Sequence, residues 1–335
     1  MTPFVARWDL DKTYLRTEFD TLRDLVRTAL ETPEQKRTVP GAATLLCEIA
    51  ATGAAIHILS GSPEQMRGRI EKKLRLDGVR WDALTLKPNL QNLLHFRLRA
   101  LRDQLGYKLP ALLGARAALA PQRQASGEVV GEVLLGDDSE SDAFVYSLYA
   151  DVVAGRVGDA ELERILVANR SYAEAIVDAQ RATRLIERGD AVERILIHLD
   201  RQRAPRDFEP YAPRLVPFYN YLQAAFVLQE DGRLTADSVL RVAADLVVRH
   251  RFDGDQLLRS YLDLARRGHL DGTGVATLGD ACDALAATLP KPAALEIERL
   301  CEHLGDAAPS VRRGLQPRGT PDYLALLGDH SLRRR

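Results

Sequence analysis

The sequence predicts an α/β chain: a doubly wound parallel sheet in residues 1–157, followed by an all-helical domain in residues 158–335 that ends in a basic tail. Three observations predict it. Short, mostly apolar runs in the first half alternate with helical stretches, the pattern of βαβ units. From about residue 159 the apolar residues recur only at helical spacing. A chain of 335 residues also exceeds one ordinary domain.

The elements follow in order. Phe4-Val5-Ala6-Arg7-Trp8 is the first run and stops at Asp9. Residues 54–59 form a second, ending at Ser60, and 129–135 a third, ending at Gly136-Asp137-Asp138. Residues 151–155, with Val152 and Val153, read as a fourth. Such runs suit strands buried on both faces of a parallel sheet. Residues 21–30 and 41–52 read as helices, the latter with Leu45, Leu46 and Ile49 on one face. Ser62-Pro63 offers a cap hydroxyl and a first-turn proline for a helix reaching Leu76. Further helices are expected at 92–104, 108–119 and 141–149. In the second half, Leu162, Ile165 and Leu166 share a helical face, as do Val239, Val242 and Leu246, and then Leu257, Leu258 and Leu262. Residues 205–217 read as a proline-rich joint, and Tyr211, Phe218, Tyr219 and Tyr221 as helical core. The final stretch carries Arg312, Arg313, Arg318 and Arg333-Arg334-Arg335 and is expected to be loosely ordered.

Composition excludes several classes. With 46 Lys+Arg against 47 Asp+Glu, the net charge is −1, so gross basicity does not hold this chain to nucleic acid, and no nucleic-acid partner is expected. Hydrophobic residues at 46% and charged residues at 28% exclude a disordered or collagen-like chain. Cys47, Cys282 and Cys301 are far apart, lack metal-ligand spacing and suit reduced thiols. The N-terminus lacks an apolar signal core, and no run is long and apolar enough to span a bilayer. A cytoplasmic protein is expected. The histidines form no HxxxH or HxH pair, and no GxxxxGK[ST] loop occurs. Asp271-Gly272-Thr273-Gly274 reads as a glycine turn rather than a calcium loop.

The acids are the informative residues. Ligands of an open parallel sheet bind outside the carboxyl ends of its strands. Asp9-Leu10-Asp11, Ser60 and Asp137-Asp138 would then converge on one crevice, although far apart in sequence. In Asp9-Leu10-Asp11-Lys12-Thr13 one carboxylate can attack phosphorus while the other donates and then accepts a proton. Leu59-Ser60-Gly61-Ser62-Pro63 offers hydroxyls and backbone N–H groups for an anion at a helix start. Asp137, Asp138, Glu140 and Asp142 crowd together, which is repulsive unless a cation is near. Mg²⁺ takes such carboxylate oxygens and leaves positions for substrate. Lys108 or Lys87 would neutralise a phosphoryl oxygen.

Asp9-x-Asp11-x-Thr13, Ser60, Lys108 and Gly136-Asp137-(x4)-Asp142, in this order, resemble the four motifs of the haloacid dehalogenase superfamily. Leu59-Ser60-Gly61-Ser62-Pro63 and Leu135-Gly136-Asp137-Asp138-Ser139-Glu140-Ser141-Asp142, with Tyr146 after it, look like the actin-patch-protein type phosphatidate phosphatase catalytic domain. The resemblance covers residues 1–157. It implies Asp9 as nucleophile and Mg²⁺ ligand, and Asp11 as general acid/base with its carbonyl on the metal. It implies Ser60 and Thr13 as phosphoryl-binding hydroxyls and Lys108 as countercharge. Asp137 would complete the metal site, with Asp142 as a further ligand. Lys12 stands where the family usually has an acid and Glu64 where it has an aromatic, which bears on substrate choice.

Little chain is left to cap this crevice, so the substrate expected is a phosphomonoester, large or lipid, reached without a transmembrane segment. The resemblance implies an Mg²⁺-dependent phosphatase working through an aspartyl-phosphate, phosphatidate phosphatase-like. The alternative is a non-catalytic adaptor whose helical half binds a protein partner.

Overall fold

Strands β1 (Phe4–Asp9), β2 (Ala55–Pro63), β3 (Ala83–Lys87), β4 (Gly131–Asp137), β5 (Val192–His198) and β6 (Leu215–Phe218) form one six-stranded sheet. The order is β3-β2-β1-β4-β5-β6, and every neighbouring pair is parallel. The computed structural model describes residues 3–15, 38–87, 104–119, 127, 129–138, 141–312, 314–316 and 318–332. The expected helix at 21–30, and the one at 92–104 up to its last residue, lie outside these residues, as do Arg313 and Arg333-Arg334-Arg335.

Strand alternation explains the layers. Phe4, Ala6 and Trp8 of β1 point to one face and pack with Leu45, Leu46 and Ile49 of α1 (Ala42–Ala51). The same core takes in α2 (Arg67–Leu76), α7 (Tyr221–Glu230), α8 (Ala236–His250), α9 (Gly254–Arg266), α10 (Val275–Ala286) and α11 (Lys291–Ala307). The other face is covered by α3 (Gln104–Ala117), α4 (Asp142–Val153), α5 (Asp159–Ala168), α6 (Ala173–Thr183) and the first residue of α12 (Tyr323–Leu332). On this second face Arg7 is buried and bonded to Glu132 at 2.8 and 3.0 Å. Glu132 also accepts the Tyr149 hydroxyl at 2.7 Å and pairs with Arg116.

The chain leaves β1 towards β2 and β3, then crosses to β4 on the other side of β1. The direction of winding thus reverses between β1 and β4. The crevice in which an open parallel sheet binds its ligands lies there, beyond the strand ends. Trp8 pairs with Leu135 in register, so Asp9 and Gly136 come level at the rim.

Several sequence expectations are corrected. Residues 158–335 are not all helical: β5 and β6 hydrogen-bond onto β4, so the sheet continues past residue 157. Residues 151–155 are the end of α4 and a turn, not a strand. Asp151 there accepts bonds from Tyr323, at 2.6 Å, and Arg156, at 3.0 Å. Residues 83–87 form β3, unexpected from sequence. Tyr323 is buried and packs edge-on to Phe144 at 5.3 Å, so the C-terminal stretch is docked there rather than loose. Tyr211, Phe218 and Tyr221 are buried as expected, but Tyr219 is exposed, and Phe218 belongs to a strand.

Candidate functional site

The end of β1 turns back on itself. Tyr14 and Leu15 N–H groups donate to the Leu10 carbonyl at 3.0 and 2.9 Å, and Lys12 N–H donates to the Leu15 carbonyl at 2.8 Å. Lys12 closes this turn with φ 59°, a left-handed conformation uncommon outside glycine. The turn brings Thr13 back over Asp9. Its hydroxyl lies 3.2 Å from Asp9 Oδ2 and 3.4 Å from Asp137 Oδ2. Asp9, Thr13 and Asp137 are all buried.

Tyr221, the first residue of α7, holds the turn from beneath. Its ring stacks on Trp8 at 5.7 Å and 13°, and its hydroxyl donates to the Thr13 carbonyl. His198, at the end of β5, also stacks on Tyr221, at 5.4 Å. Burial pushes the His198 imidazole below its usual value, while a bond to the Lys12 backbone works the other way. Neither residue was singled out from sequence for this role, because both come from the half read as a separate domain.

At the end of β2, Ser60 donates its hydroxyl to Asp11 Oδ2 at 2.8 Å, and Ser62 donates to the same oxygen at 3.1 Å. The Ser62 N–H is taken by Ser60 Oγ at 2.9 Å. The expected helix opening at Ser62-Pro63 is therefore corrected. Strand β2 runs through Gly61 and Ser62 to Pro63, a 3-10 turn follows at Glu64–Met66, and α2 begins at Arg67. Ser62 orients Asp11 instead of capping a helix. Tyr107 of α3 donates its hydroxyl to the Ser60 carbonyl at 2.9 Å, a support that sequence reading missed. Lys87 ends β3, with its ammonium 5.3 Å from the Tyr107 ring centre.

Lys108 lies in the second turn of α3 and is fully buried. Its ammonium sits 2.9 Å from Asp9 Oδ1 and 2.5 Å from Asp142 Oδ1. Asp142, the first residue of α4, also accepts the Asp137 N–H at 3.2 Å. A Cβ on Gly136 would stand 2.4 Å from Asp142 Oδ2 and 2.8 Å from the Tyr146 ring, so glycine is what lets Asp142 reach the strand end.

Asp9, Asp137 and Asp142 each offer an oxygen within 4.8 Å of the others, all buried. The Lys108 ammonium faces two of these carboxylates, Asp9 and Asp142. Carboxylates this close repel one another when ionised, and a divalent cation is the countercharge that hard oxygen ligands select. The cluster is thus positioned to hold a metal ion. Asp11 is not in that trio, because its carboxylate faces Ser60 and Ser62. Asp138 points elsewhere: it accepts the backbone N–H groups of Arg201 at 2.8 Å and Arg203 at 3.0 Å.

Among the described residues no helix is long and apolar enough to cross a membrane. Comparison of the chain with protein-family models, curated proteins and solved structures finds no match.

Proposed function

We propose that the chain is an Mg²⁺-dependent phosphomonoester hydrolase working through a phosphoryl group carried on Asp9. The observation that supports this reading is the meeting of Asp9, Asp137, Asp142 and Lys108 in one buried cluster, with Asp11 held beside it by two serine hydroxyls. The resemblance of the motifs around these residues to the haloacid dehalogenase superfamily points the same way.

Asp9, Asp137 and Asp142 would hold the ion, which when bound supplies Lewis acidity and countercharge to phosphoryl oxygens. Asp9 is oriented by Lys108 on Oδ1 and Thr13 on Oδ2. One Asp9 oxygen attacks phosphorus, and the bond from phosphorus to the leaving oxygen breaks. Asp11 gives its proton to that oxygen as it departs. Water then attacks the aspartyl-phosphate, Asp11 takes the water's proton, and Asp9 is regenerated as inorganic phosphate leaves. Ser60 and Ser62 keep Asp11 in one rotamer through both steps, and the Lys108 ammonium offsets charge on the transferring group.

Hydrolysis of p-nitrophenyl phosphate with Mg²⁺ tests this. Activity is expected to vanish with EDTA and return with Mg²⁺. Asp9→Asn is expected to lower kcat by roughly 10³–10⁶-fold, as loss of a nucleophile does. Undiminished activity in Asp9→Asn refutes the nucleophile. Failure to hydrolyse any phosphomonoester favours an interaction protein.

A further inference from the structure

Beside Asp137 lies a cavity of about 400 Å³, lined by the start of α4 and the 3-10 segment Pro205–Tyr211 that follows β5. Its walls combine Phe144, Phe208, Tyr211 and Leu326 with Arg203, Arg206 and four acids. A volume of this size suits one small organic body, and apolar walls with a few convergent polar groups are what such sites use.

The charges on these walls are unequal in their commitments. Asp138 is occupied by the backbone N–H groups of Arg201 and Arg203, so it fastens the loop that carries both arginines to the end of β4. Arg203 lies over the Phe208 ring at 5.2 Å and 3.8 Å from Asp207. Glu209 lies 3.5 Å from Arg318. Arg206 is exposed and makes no ion pair or hydrogen bond among the described residues. A planar guanidinium on a wall that mixes aromatic rings with acids selects a carboxylate or phosphate, which it can bind bidentately.

We infer that this cavity receives the leaving group of the phosphomonoester, and that the preferred substrate is a small one with a flat apolar body and a second anionic group. The body lies against Phe208, Tyr211 and Phe144, and the second anion meets Arg206 with Arg203 beside it. This rests on the proposed hydrolysis, since Asp137 belongs both to the acid cluster and to the cavity wall. The C-terminal segment then has a direct part in selection, because Leu326 of α12 closes one wall.

The test compares naphthyl phosphate with carboxynaphthyl phosphate, in kcat/KM and, through their non-hydrolysable phosphonates, in calorimetric affinity. In the wild-type chain the carboxylated member is expected to be favoured about tenfold or more, the worth of one charged hydrogen bond. In Arg206→Ala that ratio is expected to fall to near one, and Arg206→Lys to keep part of it. Hydrolysis of both esters with a wild-type ratio near one, or with the full ratio kept in Arg206→Ala, overturns the cavity assignment and leaves the hydrolase reading standing. Arg206-dependent phosphonate binding without hydrolysis of either ester does the reverse. Absence of both hydrolysis and binding overturns the cavity assignment too. So does faster turnover of phosphatidate in phosphatidylcholine vesicles, unchanged in Arg206→Ala.

Discussion

At Gly136 the missing side chain decides how close two acids come. Asp142 folds back against the strand at a point where any Cβ would collide with its carboxylate. Gly136→Ala is therefore expected to push Asp142 away from Asp137 and from Lys108, weakening cation binding by about tenfold or more while leaving Asp9 and Asp11 in place. Calorimetric titration with Mg²⁺ or Mn²⁺ checks it, and an unchanged affinity would remove Asp142 from the ligand set. Residues of this kind were readable from sequence. An apolar run stopped by Asp9, Ser60 or Gly136-Asp137 is a strand end, and strand ends of a parallel sheet share a rim. Tyr221, His198, Tyr107 and Arg206 were not readable, because their contribution depends on which strand or helix neighbours them.

Among the elements, β4 carries a fully buried charge cluster. Glu132 sits in the sheet with Arg7 and Arg116 against it and the Tyr149 hydroxyl on Oε2. Burial alone would raise the Glu132 carboxyl, but Arg7, Arg116 and Tyr149 hold it down to about 2. A carboxyl depressed on folding contributes stability above its unfolded value, near 4.5, and loses it as pH falls towards 2. Glu132→Gln takes the Glu132 countercharge away from two buried guanidiniums, those of Arg7 and Arg116. It is expected to cost about 3–5 kcal/mol at neutral pH and to flatten the decline of stability below pH 4.5. Denaturant titrations at several pH values measure both. Why some strands escaped sequence reading follows from the same chemistry. In β5 the run opens Val192-Glu193-Arg194, whose charges are met by Arg233 and Asp231, so it does not look apolar. Strand β6 has four residues with Pro217 among them, and at the sheet edge a proline is tolerated. Conversely, Val152 and Val153 look like a strand but pack inside α4.

For the whole molecule, the two halves of the sequence share one sheet and two cores. Strands from before residue 157 are covered on one face by α7 to α11 and extended at one edge by β5 and β6. A fragment of residues 1–157 would expose β4 as a bare edge and uncover Trp8. It is expected to lack a cooperative urea transition and fixed near-UV circular dichroism. A fragment that unfolds cooperatively would make residues 158–335 a separate domain. The Tyr221 hydroxyl on the Thr13 carbonyl carries this dependence into the site itself. During synthesis the nascent polypeptide presents its amino-terminal acids to solvent long before the tyrosine that steadies them has left the ribosome. The proposed phosphate-ester turnover is therefore expected only once Tyr221 has emerged and met the Thr13 carbonyl.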